Sequence, residues 1–107
     1  MANKNTFMVR QGDVLVVGVT KIPKAAKPKG RDRGRCVLAY GEATGHAHAI
    51  EDITALLLDH GEELYLRADG VVTLRHEEHA PIEIPAGNYR VVRQREYQPG
   101  AIRNVAD

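Results

Sequence analysis

The chain has 107 residues, of which 43% are hydrophobic and 27% charged, and its net charge is +1. This length suits a single domain, here residues 1–107, and the composition excludes the low hydrophobicity and high net charge of a disordered chain. No apolar run could span a bilayer and Met1–Phe7 hold no signal-peptide core, so we expect a cytoplasmic protein without a membrane segment.

The counts of cysteine and serine restrict the possible chemistry further. Cys36 is the only cysteine, which excludes an internal disulfide and a cysteine-rich zinc motif and favours a reducing compartment. Its apolar neighbours indicate a packed small side chain, not a nucleophile. The chain contains no serine, so a serine nucleophile is excluded.

The first half of the chain alternates between strand and loop signals. Residues 13–20 carry β-branched side chains on both faces, which predicts a central strand. Residues 21–34 contain prolines and glycines without apolar periodicity and predict a long, basic surface loop. Residues 35–40 predict another strand. Residues 51–60 match a helical template as well as a strand, and we favour the strand because the following segments are β.

Two turn signals organise the second half. Asp69-Gly70 suits a type I′ turn and predicts a hairpin between Glu63–Ala68 and Val71–His76. The proline and glycine of residues 84–87 predict a second hairpin, joining residues 82–84 to 88–97. The sequence therefore predicts an all-β fold, a small barrel or sandwich of about eight short antiparallel strands, with a loose tail over residues 98–107.

Four of the five histidines form two close groups, and His60 stands apart in a predicted turn. In a strand, His46 and His48 point to one face, and a bulge or turn at a strand end would bring His76 and His79 together. These histidines predict a site for a divalent transition metal, with zinc as the favoured ion. Glu51, Glu77 and Glu78 are candidate extra ligands or acid–base groups. Without a metal, the same residues would form a pH-sensitive patch, and any catalysis would be metal-assisted.

The run Gly41–Glu51, followed downstream by Pro85-Ala86-Gly87, resembles the two motifs of the cupin superfamily. The resemblance implies a double-stranded β-helix, with His46 and His48 as metal ligands. Arg90 occupies the place of the last cupin histidine, so His76 or His79 would supply that ligand. Nearly the whole chain is also similar to short proteins of bacterial and phage genomes, a likeness that implies no activity.

Two alternatives use other surfaces. A basic arm could bind nucleic-acid phosphates, aided by a Tyr/Arg face on the last strand, although a net charge near zero argues against this. The arm comprises Lys21, Lys24, Lys27, Lys29, Arg31, Arg33 and Arg35, and the face comprises Tyr89, Arg93, Arg95 and Tyr97. Alternatively, Tyr89 lies in the core and the arginines pair with acids. Besides metal binding and nucleic-acid binding, the third possible function is a protein–protein interaction module, a homo-oligomer that covers an exposed sheet edge.

Overall fold

The computed structural model describes residues 6–41 and 45–94, which form ten strands in two antiparallel sheets. The strands are β1 (Met8–Gln11), β2 (Val14–Val19), β3 (Lys27–Lys29), β4 (Cys36–Tyr40), β5 (Ala47–Ile50), β6 (Ala55–His60), β7 (Glu63–Ala68), β8 (Val72–His76), β9 (His79–Ile84) and β10 (Gly87–Arg93). The all-β prediction is confirmed, with ten strands in place of about eight. Within the described ranges no helix is long and apolar enough to cross a membrane.

The larger sheet has six strands in the order β1-β2-β10-β7-β6-β3. β2 pairs with β1 on one side and β10 on the other, as predicted for a central strand. Its alternating side chains direct Val14 and Val16 into the core, where neither is exposed to solvent. Residues 51–60 matched both a helix and a strand; β6 occupies Ala55–His60, so the preference for a strand is confirmed over that part.

The smaller sheet has four strands in the order β4-β5-β8-β9 and packs its inner face against the larger sheet. Ile50 of β5, Leu74 of β8 and Ile84 of β9 belong to one buried cluster with residues of β2, β7 and β10. The two sheets therefore enclose one shared core and do not close into a barrel.

Both predicted hairpins are wrong, because each turn signal lies where the chain changes sheet. β7 pairs with β6 and β10, whereas β8 pairs with β5 and β9. The backbone N–H of Asp69 donates to the carbonyl of Thr54, and this hydrogen bond fixes the connection that leads from β7 in one sheet to β8 in the other. Residues 84–87 likewise connect β9 to β10 in the other sheet. Leu66 of β7 and Leu74 of β8 are both fully buried in the core that the two sheets share.

The basic loop predicted over residues 21–34 is not entirely irregular. Lys27–Lys29 form β3, which pairs with Leu57–Asp59 at the edge of the larger sheet. Arg31 anchors the segment that follows by donating to the carbonyls of Asp52 and Ala55 at 2.8 and 2.7 Å. The predicted tail over residues 98–107 lies outside the described residues.

Candidate functional site

The four clustered histidines lie where the smaller sheet reaches one end of the core. His48 lies two residues before the core residue Ile50, and His76 two residues after Leu74, so strand periodicity points both rings inward. His79 begins β9 and is paired with His76 after a register shift beyond Leu74. Because His76 and His79 are three residues apart, a bulge or turn was needed to bring them together, and this register shift is that bulge.

The structure brings the four imidazoles into a continuous group with His76 at its centre. The ring centroid of His76 lies 4.2 Å from that of His48, 4.7 Å from that of His79 and 5.6 Å from that of His46. His48 and His79 are 5.9 Å apart and nearly parallel. The four histidines that the sequence grouped as candidate ligands therefore lie next to one another in the structure.

Three donor groups at the outer side of this cluster converge closely. One ligand atom each from His46, His76 and Glu77 lies within 4.8 Å of the other two. The carboxylate of Glu77 is held by the backbone N–H of Ala47, which donates to it at 2.9 Å. That hydrogen bond is the main reason the pKa of Glu77 is lowered, so the carboxylate is ionised at neutral pH.

At the inner side, Gln11 fixes the protonation pattern of His48. The Gln11 side-chain amide donates to the carbonyls of Leu74 and Ala80, both at 3.0 Å, beside the bulge between β8 and β9. Its Oε1 therefore faces Nδ1 of His48, 2.8 Å away. Because Oε1 can only accept, Nδ1 carries the proton and the lone pair of the neutral ring lies on Nε2.

That free lone pair faces an acidic group. Nε2 of His48 lies 3.5 Å from Oδ1 of Asp13, whose Oδ2 accepts from Nε of Arg93 at 3.2 Å. Burial lowers the pKa of His48 to about 4, with a further contribution from His76, so the ring is neutral at pH 7. Partial burial favours a higher pKa for Asp13, but Arg93 outweighs it and holds that pKa below its usual value.

Gly12 allows the histidines to approach the β1–β2 turn. Its φ of +60° is a conformation that side chains disfavour, and a Cβ built there would lie 2.9 Å from Nε2 of His79 and 3.4 Å from Nε2 of His48. Gln11, Gly12 and Asp13 thus form one wall of the site. Sequence reasoning did not select them as site residues, since only the fold brings this turn to β8 and β9.

The β8–β9 turn contributes the remaining polar contacts. The backbone N–H of Glu78 donates to Nδ1 of His76 at 3.0 Å, and the Glu78 carboxylate lies 3.8 Å from Nδ1 of His46. Glu51 is exposed and borders a surface depression that Glu77 also lines, but it is not one of the three converging donors. His60 is exposed on β6 of the other sheet.

The Tyr/Arg face predicted for nucleic acid is largely occupied by internal contacts. Tyr89 is 1% exposed and donates its hydroxyl to the carbonyl of Pro85, while Arg93 binds Asp13 and the carbonyl of Tyr40. The alternative that placed Tyr89 in the core is therefore confirmed. Arg95 and Tyr97 lie outside the described residues. The four lysines of the arm are exposed, as are Arg31 and Arg33, whereas Arg35 is half-buried.

The region that holds both the core and the histidines also carries the family match. Residues 10–94 match the family described as Domain of unknown function (DUF8820). The chain belongs to this family. No curated protein and no solved structure matches the chain. The matched range begins just before Gln11 and includes the four clustered histidines together with Gln11, Asp13 and Glu77.

Proposed function

We propose that this chain binds a divalent transition metal, with zinc as the best candidate, at the histidine cluster. The observation that carries the proposal is the convergence of His46, His76 and Glu77, whose donor atoms lie within 4.8 Å of one another. Imidazole nitrogen and carboxylate oxygen are ligands that zinc accepts, and three such ligands leave one position open for water or a substrate.

The donor set fits an ion after small side-chain rotations. Metal–ligand bonds of about 2.0–2.2 Å in tetrahedral geometry hold ligand atoms roughly 3.3 Å apart. The three donors are therefore somewhat wider than a closed site, but Glu77 is exposed and His46 is 25% exposed, so both can rotate inward. Inward rotation of Glu77 breaks its hydrogen bond from the Ala47 N–H, which the bond to the ion must offset.

The inner histidines give the proposal a second source of ligands. His48 presents an unprotonated Nε2 whose 3.5 Å separation from Asp13 is close to the spacing of two ligands on one ion. Its other nitrogen donates to Gln11, the type of support that metal-binding histidines usually have. His79 completes the predicted set of His46, His48, His76 and His79.

Metal binding at His76 would change the β8–β9 turn. A neutral His76 that accepts from the N–H of Glu78 at Nδ1 carries its proton on Nε2. An ion bound at Nδ1 of His76 would replace that hydrogen bond. An ion bound at Nε2 would move the ring proton to Nδ1, which could then no longer accept from the Glu78 N–H. In either case the Glu78 amide loses its acceptor, so its NMR signal should shift when zinc is added.

Calorimetric titration of tag-free, chelator-treated protein with zinc chloride tests the proposal. We expect one ion per chain for the wild type and a loss of affinity of more than about tenfold for both His46→Ala and Glu77→Gln. His60→Ala is the matched control, because it removes an exposed histidine of the other sheet and should bind zinc normally.

Two results would contradict the assignment. The first is equal binding by the wild type and the double variant His46→Ala, His48→Ala. The second is equal weakening by His60→Ala and His46→Ala, which would mean that zinc binds nonspecifically to exposed imidazoles. Far-ultraviolet circular dichroism of each variant separates lost binding from lost folding.

The proposed metal site belongs to a cupin-like fold in a reducing, cytoplasmic setting. A cupin-like arrangement agrees with two antiparallel sheets that share a core and with histidines at one end of it. A reducing, cytoplasmic setting agrees with Cys36 as a buried free thiol. The proposed role is binding or regulation, and any catalysis would use the open metal position to activate water.

A further inference from the structure

The outer face of the larger sheet carries a positively charged groove that metal binding does not use. Asn88 pairs with Arg67 and Arg90 pairs with Tyr65, so the two arginines are diagonal neighbours across β7 and β10. Such neighbours lie within reach of each other's side chains. Two guanidinium groups at this spacing repel each other and together favour an anion that contacts both.

The segment after β2 adds two more cations and an apolar wall. Lys21 and Lys24 line the same groove, together with Val19, Ile22 and Pro23. The groove has a volume of about 740 Å³, which is in the range of pockets for small organic ligands. It therefore combines positive charge with an apolar surface for the body of a ligand.

The charge of the groove is only partly balanced by the protein. Among the residues that the structure describes, none that lines the groove is acidic. The neighbouring Glu63 lies 3.6 Å from Arg90 and accepts from the hydroxyl of Tyr65 at 2.6 Å. Four cations therefore face one nearby carboxylate, and a cleft concentrates their field on its contents.

We propose that this groove binds a phosphate-bearing organic molecule of the nucleotide class. Arg67 and Arg90 hold the phosphate through paired N–H donors, and Lys21 and Lys24, which line the same groove, add positive charge. The sugar and base rest against Val19, Ile22 and Pro23. A free nucleotide and the end of a nucleic-acid strand present the same chemistry, so the site accepts either source. The groove shares Lys21 and Lys24 with the basic arm suggested by the sequence but not the Tyr/Arg face, since Tyr89 and Arg93 do not line it.

Titrations followed by amide NMR test the groove, with a chelator present so that the outcome is independent of metal binding. The probes are adenosine monophosphate, adenosine and a fifteen-residue oligothymidylate at low salt. We expect saturable binding of the monophosphate with shifts at Arg67 and Asn88, no binding of adenosine, and about tenfold weaker binding by Arg67→Ala. Arg75→Ala is the control, because it removes the same charge from an exposed position on the other sheet.

Each outcome decides the proposal. Tighter binding of the oligothymidylate, lost in Arg67→Ala but kept in Arg75→Ala, supports the site and identifies a strand as the phosphate source. Equal weakening by the two variants reduces the effect to net charge and overturns the proposal. Absence of monophosphate and oligothymidylate binding at millimolar concentration, or equal binding of adenosine, also overturns it.

Discussion

The histidine cluster lies at one end of the core and is partly buried, whereas the cationic groove lies on the outer face of the larger sheet and is lined by exposed charged side chains. At the inner side of the cluster, Gln11 and His48 are 2% and 3% exposed, and the Gln11 side-chain amide hydrogen-bonds Leu74, Ala80 and His48. In the groove, Lys21, Lys24 and Arg67 are exposed and their charged ends reach into solvent. One site is held by buried hydrogen bonds, whereas the other depends on accumulated charge.

This difference predicts different responses to mutation. A buried polar network is stabilising only while every member is satisfied, so a change at the cluster should affect folding as well as binding. Exposed cations contribute little to stability, so a change in the groove should affect binding alone.

The largest effect is expected for Gln11→Leu. This change keeps the volume but removes the donors to the carbonyls of Leu74 and Ala80 and the acceptor for His48. Buried polar groups left without partners cost about 1–3 kcal/mol each, so we expect a loss of about 3 kcal/mol in urea unfolding. A loss below about 1 kcal/mol would mean that water replaces the amide and that the cluster is less organised than described.

The next effect concerns pH and the neutral state of His48. Because its pKa falls from 6.5 to about 4 on folding, the unfolded chain binds more protons between these values and stability decreases as pH is lowered. For chelator-treated protein, this group alone should remove about 2 kcal/mol between pH 7 and pH 5. The variant His48→Gln should flatten the dependence over that interval, whereas His60→Gln should leave it unchanged. A wild-type curve that is already flat would refute the assignment.

A smaller effect should separate backbone strain from ring contact. Gly12 and Gly61 have nearly equal φ values of +60° and +62°. Of these two glycines, a Cβ at Gly12 would meet His48 and His79, whereas a Cβ at Gly61 would meet nothing within 4 Å. We expect Gly61→Ala to lose about 1 kcal/mol from strain and Gly12→Ala about 2 kcal/mol, with displaced signals of His48 and His79. Equal losses would show that the rings move aside without cost.

The smallest effect is expected in the groove. Arg67→Leu replaces an exposed side chain on the outer face of β7, so urea unfolding should change by less than about 0.5 kcal/mol. A loss comparable to that of Gln11→Leu would indicate that the groove also supports the fold, and the contrast between the two sites would fail.

Sequence periodicity was sufficient for several strands, whereas the meeting of the two histidine groups depends on the pairing of β5 with β8, which no local pattern specifies. Strands at β2, β4 and β6 follow from their apolar patterns, and His46 with His48 follows from a spacing of two. Turn chemistry was insufficient at Asp69-Gly70, because a turn signal does not state which strand becomes the neighbour. That choice depends on which arrangement buries Leu66 and Leu74 best, a property of the assembled sheets.

Gln11 and Asp13 were missed as site residues for the same physical reason, namely that their contacts depend on the assembled sheets. Gln11 hydrogen-bonds Leu74 and Ala80, which follow it by 63 and 69 positions in the sequence. Arg93 and its partner Asp13 are 80 positions apart. A polar residue near a turn has the same local pattern whether it is solvated or buried. Only the approach of β1 to β9 makes Gln11 part of the site.

The position of β10 has a consequence for how the chain folds. β10 follows all other described strands along the chain, yet it lies between β2 and β7 and joins them. Until it emerges during synthesis, the larger sheet exists only as two separate parts with unpaired edges. Since closing such distant pairings is slow, we expect the nascent chain to remain incompletely folded until this strand leaves the ribosome.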